Sequence, residues 1–243
     1  MGIMAYANFN IIDWHAISTG LENRSDWLLW SESDFTWPED GKIPVDKIPA
    51  MARRRMSSLS KLAVQTALTL SEHNSIDYLV FASRHGELTR TTTLLEDILK
   101  GEDASPMAFS QSVHNTASGL FTISAKKPIP VTSIAAGENT FHSALVEAAA
   151  YLYENPDHNV LVVDFDEPTS SHYKEFETDT YQGYALGLIL SSGQDISIAW
   201  NNKPSISSSS LPHGLQCIAN LVGSKDKWNV DSKSTQWTWT RIK

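Results

Sequence analysis

Residues 105–148, SPMAFSQSVHNTASGLFTISAKKPIPVTSIAAGENTFHSALVEA, decide how this chain folds and what chemistry it can carry. Ile129, Pro130, Val131, Thr132, Ser133 and Ile134 form a short β-branched run beside the breakers Pro128 and Pro130, and read as a buried strand. Ala135, Ala136 and Gly137 are small enough for a tight turn. From Asn139 onward Leu145, Ala148, Ala149 and Leu152 fall at i, i+3, i+4 and i+7, the spacing of a helix face. Glu138 therefore stands at a strand-to-helix turn. Free backbone N–H groups and the positive end of the helix dipole meet there, a setting that lowers a thiol's pKa or keeps a carboxylate ionised. As an ordinary first-turn acid, Glu138 would stabilise the helix by about 0.3–1 kcal/mol.

The flanking chain alternates strands and helices. Asn8–Ser18 reads as an opening strand, and Ser25-Asp26 as the cap of a short helix carrying Trp27, Leu28, Leu29 and Trp30. Pro38–Pro49 is a turn-rich connector. Leu59, Leu62, Ala63, Ala67 and Leu70 share one face of the helix that follows the connector; Tyr78–Ala82 is a buried strand and Leu88–Lys100 a further helix. This alternation predicts an α/β fold with a mixed, mostly parallel sheet flanked by helices. Asp195–Trp200 and Thr235–Ile242 alternate as half-exposed strands, the serine-rich stretch Pro204–Pro212 reads as a loop, and Leu211–Val222 as a helix. Trp237 and Trp239 are expected to cover their own sheet, and His213 to be a loop or helix-start histidine.

The stretch resembles the N-terminal half of a β-ketoacyl synthase of the thiolase fold, in which a strand ends in a small-residue turn bearing the active cysteine. Counting back from Glu147-Ala148 puts that cysteine's counterpart at Glu138, with Gly137 the less favoured choice. Further motifs follow in family order: the helix over 51–72, Arg84-His85-Gly86-Glu87 after a strand, Val113-His114-Asn115 with Ala117-Ser118-Gly119, HNVLVVDFDE at 158–167, and QGYALGLIL at 182–190. The resemblance covers roughly residues 50–192. It implies one thiolase-like half-domain over 1–243, with 193–243 a divergent C-terminal extension.

Two departures shape the functional expectation. A condensing synthase needs a cysteine thiolate to carry the acyl chain, and the only cysteine is Cys217, far beyond the motif. The family's two catalytic histidines come from a second half for which the chain has too little length, and His213-Gly214 lacks the threonine-glycine continuation of the family's histidine motif. That combination resembles the chain length factors, inactive synthase-like subunits that pair with a catalytic ketosynthase and shape the tunnel for the growing chain; the short form resembles those of aryl polyene pathways in Gram-negative bacteria. The resemblance implies no catalytic residue, cofactor or metal. It implies as partners a catalytic ketosynthase, in a heterodimer or an assembly of heterodimers, and an acyl carrier protein. Ile129–Ile134 becomes the partner strand, and Phe109, Gln111, Ser112, His114, Asn115 and Glu138 the tunnel and interface residues. For Phe109 the ordinary reading is core, and for His114 a helix cap.

Two rival functions remain at this stage. Glu138 could assist malonyl-carrier decarboxylation if burial raised its pKa, or the chain could be a stand-alone acyl-binding scaffold. Arg53-Arg54-Arg55 could dock an acidic carrier, though a charged run is more often a solvated face. Asp164-Phe165-Asp166-Glu167 suggests magnesium only weakly, and His85 with Glu87 lacks a third zinc ligand nearby. No phosphate-binding glycine loop or serine-hydrolase elbow occurs. With 41% hydrophobic residues the chain can bury one sizeable core. Its 19 basic and 28 acidic residues give a net charge of -9 and argue against nucleic acid as a partner. One cysteine, no basic-then-apolar N-terminus and no apolar run near ~18 residues predict a cytoplasmic protein without a membrane span.

Overall fold

A computed structural model describes residues 5–177, 179–202 and 211–242. The predicted loop at 204–212 therefore lies mostly outside the described residues. Seven strands, β1 (Ala5–Ser18), β2 (Tyr78–Ala82), β3 (Val131–Ile134), β4 (Asn159–Asp166), β5 (Tyr184–Asn202), β6 (Lys227–Asp231) and β7 (Thr235–Arg241), form one sheet. The order is β3-β2-β4-β5-β7-β6, and β1 runs along the other side of β5. Among the described residues eight α-helices accompany it: α1 (Arg24–Glu32), α2 (Ala50–Arg53), α3 (Ser58–Ser71), α4 (Leu88–Leu99), α5 (Pro106–Ser110), α6 (Thr116–Ala125), α7 (Thr140–Glu154) and α8 (His213–Val222).

Strand alternation builds two cores. Val80, Val162, Leu186 and Leu188 point to one face and join Trp27, Trp30, Phe141, Leu145 and Leu215. Leu79, Phe81, Leu161, Val163 and Ile189 point to the other, against Leu59, Leu62, Ala63 and Ala67 of α3 and Phe121 of α6. Both faces are covered, so β2 and β4 read as continuous apolar runs. Burying each large aliphatic side chain contributes about 1.5–3 kcal/mol, and all of these are at most 2% exposed.

The mixed, helix-flanked α/β layering matches the sequence expectation, but the parallel share is smaller than expected. Only β2–β3 and β2–β4 are parallel; β4–β5, β1–β5, β5–β7 and β6–β7 are antiparallel. The cause is β5, a single strand of 19 residues that joins the motif at 182–190 to the strand expected at Asp195–Trp200. It bridges β4 with its first half and β7 with its second, and its pairing with β1 shifts register between Phe9 and Asn10 and between Ile11 and Asp13. The predicted helix over 51–72 is broken: Ser57 caps α3 by accepting the Ser60 N–H at 2.9 Å, which separates α3 from α2. The cap of α1 is Asn23 rather than Ser25-Asp26, with Asp26 closing the capping box. Among the described residues no helix is long and apolar enough to cross a membrane.

The strand expected at 129–134 is a shorter edge strand and is not buried. Ile129 and Pro130 precede β3, Val131 is 40% exposed, and Thr132, Ser133 and Ile134 are half-buried. Its burial is limited because β2 covers only one of its edges. The carbonyls of Pro130 and Ile134 accept from Leu79 and Ser83 of the β2 side at 3.0 and 3.2 Å. In a parallel ladder alternate residues face alternate edges, so the backbone groups of Val131 and Ser133 face the open one.

Candidate functional site at the strand-to-helix turn

Glu138 occupies the turn between β3 and α7 that the sequence indicated, within a single 3-10 turn at Gly137–Asn139. Gly137 has φ +57°, a left-handed conformation that a side chain would strain. Thr140 holds the turn, its Oγ1 accepting from the Ala136 N–H at 2.9 Å and donating to the Gly137 carbonyl at 2.7 Å.

The carboxylate of Glu138 is not free. Its Oε2 accepts the backbone N–H of Lys233 at 2.9 Å, and its Oε1 lies 3.1 Å from the Lys233 ammonium, in the turn between β6 and β7. Burial pushes the Glu138 carboxyl up, but the two Lys233 hydrogen bonds and the attraction of its charge outweigh that and leave it below the ordinary value. The adjacent residue repeats the attachment: Asn139 Oδ1 accepts the Trp237 indole N–H at 2.8 Å.

One turn further along α7, His142 is fully buried and joins a directional chain. The Trp239 indole N–H reaches His142 Nε2 at 3.0 Å, His142 Nδ1 lies 3.0 Å from His213 Nδ1, and His213 Nε2 lies 3.4 Å from the Asp231 carbonyl. An indole can only donate and a carbonyl can only accept. His142 must therefore accept at Nε2 and donate from Nδ1, and His213 must accept at Nδ1 and carry its proton on Nε2. Both imidazoles are neutral. Burial, and for His142 also the neighbouring His213, holds His142 well below the ordinary histidine range; burial brings His213 down to about 4. His213 thus has no lone pair left for a substrate proton.

His213 and Glu138 line a small recess with Arg84, Asp166, Tyr184 and Gly214 among its other walls. Asp164 and Asp166 share one face of β4 by strand alternation. Asp164 accepts the Tyr184 hydroxyl at 2.6 Å; Asp166 accepts Ser83 Oγ and the backbone N–H groups of Arg84 and His85 at 2.8–3.3 Å. Burial pushes both carboxyls up, Asp166 to about 6. Position 214 must be glycine, because a Cβ there would lie 2.0 Å from Asp164 Oδ2. These acids are engaged with protein donors, and among the described residues no cluster of three metal-type side chains forms. Cys217 is 1% exposed on α8, where burial pushes its thiol up.

Two of the remaining sequence-derived tunnel residues lie at the β3 edge. His114 and Asn115 line a groove there with Ser118, Val131 and Ser133, joining two of the expected tunnel residues to the expected partner strand. His114 Nε2 donates to the Ser83 carbonyl at 2.8 Å, and Asn115 precedes α6 without a side-chain cap bond. Gln111 Oε1 accepts from Arg90 at 2.9 Å, and Ser112 Oγ donates to the Phe109 carbonyl. Gln111, Ser112 and Phe109 line neither the groove nor the recess. Phe109 is 65% exposed on α5, so the core reading of it is wrong: a helix of five residues on the surface gives its ring nothing to pack beneath.

Sequence reasoning missed Lys233, Asp231 and the His142–His213 pairing. His213 is the first residue of α8, and Trp237 and Trp239 are buried in the sheet's own core, both as expected. The alternation of Trp237 and Trp239 pointed to their covering their own sheet; nothing linked either tryptophan to His142, almost 100 positions earlier.

Residues 27–240 match the family model of the β-ketoacyl synthase N-terminal domain, and the chain belongs to that family. It is similar, at 32% identity and a TM-score of 0.88, to a chain of the structure "Ketosynthase (ApeO) in Complex with its Chain Length Factor (ApeC) from Xenorhabdus doucetiae", over 96% of this chain and 99% of that one. The ishigamide ketosynthase/chain length factor shares the fold at 16% identity and a TM-score of 0.63, over 80% of this chain and 67% of that one. So does a chain of the AntDE:AntF complex, a type II acyl-carrier protein with its ketosynthase bound to the hexaketide, at 10% identity and 0.68, over 98% and 100%. No curated protein matches.

Proposed function

We propose that this chain is a non-catalytic chain length factor. In this reading it pairs with a catalytic ketosynthase, receives chains borne on an acyl carrier protein, and sets how far they grow. The observation that carries it is the state of the motif turn: a carboxylate bound to Lys233 stands where the family places its thiolate, and His213, the imidazole that lines the recess with it, has both nitrogens engaged. Neither a covalent acyl carrier nor a free base is left there. The lowered Glu138 pKa weighs against the decarboxylase reading, since a general base near neutrality needs the opposite shift. The open edge of β3 supports strand pairing with the ketosynthase, because pairing removes an exposed ladder. The groove of His114, Asn115 and Ser133 beside that edge would then face the partner, with Phe109, Gln111 and Ser112 on the adjoining surface. The similarity to a chain of a ketosynthase–chain length factor structure points the same way, and the aryl polyene setting enters the reading from the sequence resemblance.

The test is co-expression with a ketosynthase encoded beside it, then size-exclusion chromatography and mass analysis of products. Co-elution with chain extension only in the pair supports the reading. A monodisperse, soluble chain that ignores the ketosynthase supports the scaffold alternative instead.

A further inference from the structure

The C-terminal hairpin of β6 and β7 is attached to the motif turn by three successive contacts: Lys233 to Glu138, Trp237 to Asn139, and Trp239 to His142. Only the third is continued inward, through His213 to the Asp231 carbonyl at the end of β6. Trp237 stacks on the His142 ring at 4.4 Å between centroids, so the hairpin also shields that imidazole from water.

The hydrogen-bond order tolerates no extra proton. A proton added to His142 Nε2 would face the Trp239 N–H across 3.0 Å, and one added to His213 Nδ1 would face the His142 N–H across 3.0 Å. In each case two donors meet in a buried space, which replaces attraction by repulsion and leaves a charge desolvated. We propose that the two neutral imidazoles form an acid-labile latch that seats the β6–β7 hairpin on the turn before α7, so that proton uptake at His142 and His213 releases the hairpin and opens the recess.

The surrounding charges do not relieve this. His213 feels Asp231 from β6 and Glu138 from the turn, which favour its charged form, and Arg84 from the end of β2, which opposes it; burial outweighs them. At His142 burial and His213 itself both act against the charge. Asp164 of β4 and Tyr184 of β5 meet α8 at Gly214 and are bonded to each other, Lys233 is bonded to Glu138, and Cys217 on α8 stays a neutral thiol. The latch does not depend on the function proposed above.

Amide hydrogen exchange on the full chain, corrected for the intrinsic pH dependence of exchange, tests it at pH 7 and pH 5. Once released, each imidazole recovers an ordinary pKa near 6.5, so the open population should rise roughly 25-fold for one histidine and several hundredfold for both. That rise is expected in residues 227–241, with β4 amides remaining far better protected. His213→Gln should reduce it to the one-histidine value, and the double variant with His142→Gln should abolish it. A wild-type change below threefold, an unchanged response in the double variant, or β4 exchanging in step with the hairpin would overturn the proposal. Imidazole nitrogen shifts of the wild type at pH 7 test it without any variant: the expected protons are on Nδ1 of His142 and Nε2 of His213, and either the other tautomers or charged rings would sink it.

Discussion

Replacing Trp239 by phenylalanine should cost more than the same change at Trp237, two residues away on the same strand. Trp239 is 0% exposed, stacked on Phe141 and on Trp228 with centroids 6.2 and 5.3 Å apart, and its N–H is the sole donor to His142 Nε2. Trp239→Phe keeps an aromatic ring in place but leaves that buried nitrogen unsatisfied, a loss of about 1–3 kcal/mol. The missing part of the indole adds a small cavity worth about 1 kcal/mol. Trp237→Phe leaves a similar small cavity, since Trp237 is 5% exposed, but the hydrogen bond it gives up is to Asn139, whose half-buried amide water can reach, and it should cost about 1.5–2.5 kcal/mol. Urea unfolding with an unchanged m-value measures both. For a chain of this size the Trp239 change corresponds to a fall in Tm of roughly 5–15 °C. Equal costs at the two positions, or an unperturbed His142 ring in the Trp239 variant, would refute the directional chain.

The pH dependence of stability has a definite sign. The folded pKa of His213 is about 4 and the unfolded one about 6.5, so its contribution is complete above pH ~6.5 and is lost as the pH falls toward 4, about 3 kcal/mol in all. Burial raises Asp164 and Asp166 and gives the opposite slope, so the quantity to measure is the difference between wild type and His213→Gln. A difference that stays flat from pH 6.5 to 4 would contradict the assignment. Val131→Pro removes an N–H that faces the open edge of β3 while sparing its bonds to β2; the fold should survive and ketosynthase retention in pull-down should drop about tenfold, consistent with the loss of one ladder bond of up to 1.5 kcal/mol. Full retention would argue against strand pairing. Phe109→Ala should lengthen and Phe109→Trp shorten the products of a reconstituted pair, read by mass spectrometry, and identical products from all three would remove Phe109 from the tunnel.

Local signals carried much of the fold. Tyr78–Ala82 appears as read, and the apolar run at 158–167 became β4, because strands buried on both faces need continuous apolar residues. The failures occurred where tertiary pairing overrode local pattern. Ser191-Ser192-Gly193 weakens the strand pattern, yet β5 continues past it because β1 pairs with Tyr184–Ser191 and again with Ile196–Trp200 across a register shift, where Gly193 makes room for Asn10. Lys227–Asp231 is too short and too mixed to stand out before β7 pairs with it. Within the site, Glu138 was legible because a small-residue turn before a helix is a local feature. His142 and His213 were not: 71 positions separate them, and only the sheet brings α7, α8 and the hairpin to one point.

The central claim, that the motif turn carries no acyl group, is tested most directly by incubating the purified chain with acyl- and malonyl-carrier protein, with and without a catalytic ketosynthase, and weighing the intact proteins. The expected result is acyl mass on the ketosynthase and none on this chain, with carbon dioxide released only when both proteins are present. An acyl adduct on this chain, or carbon dioxide released by it alone and abolished by Glu138→Gln, would contradict the account.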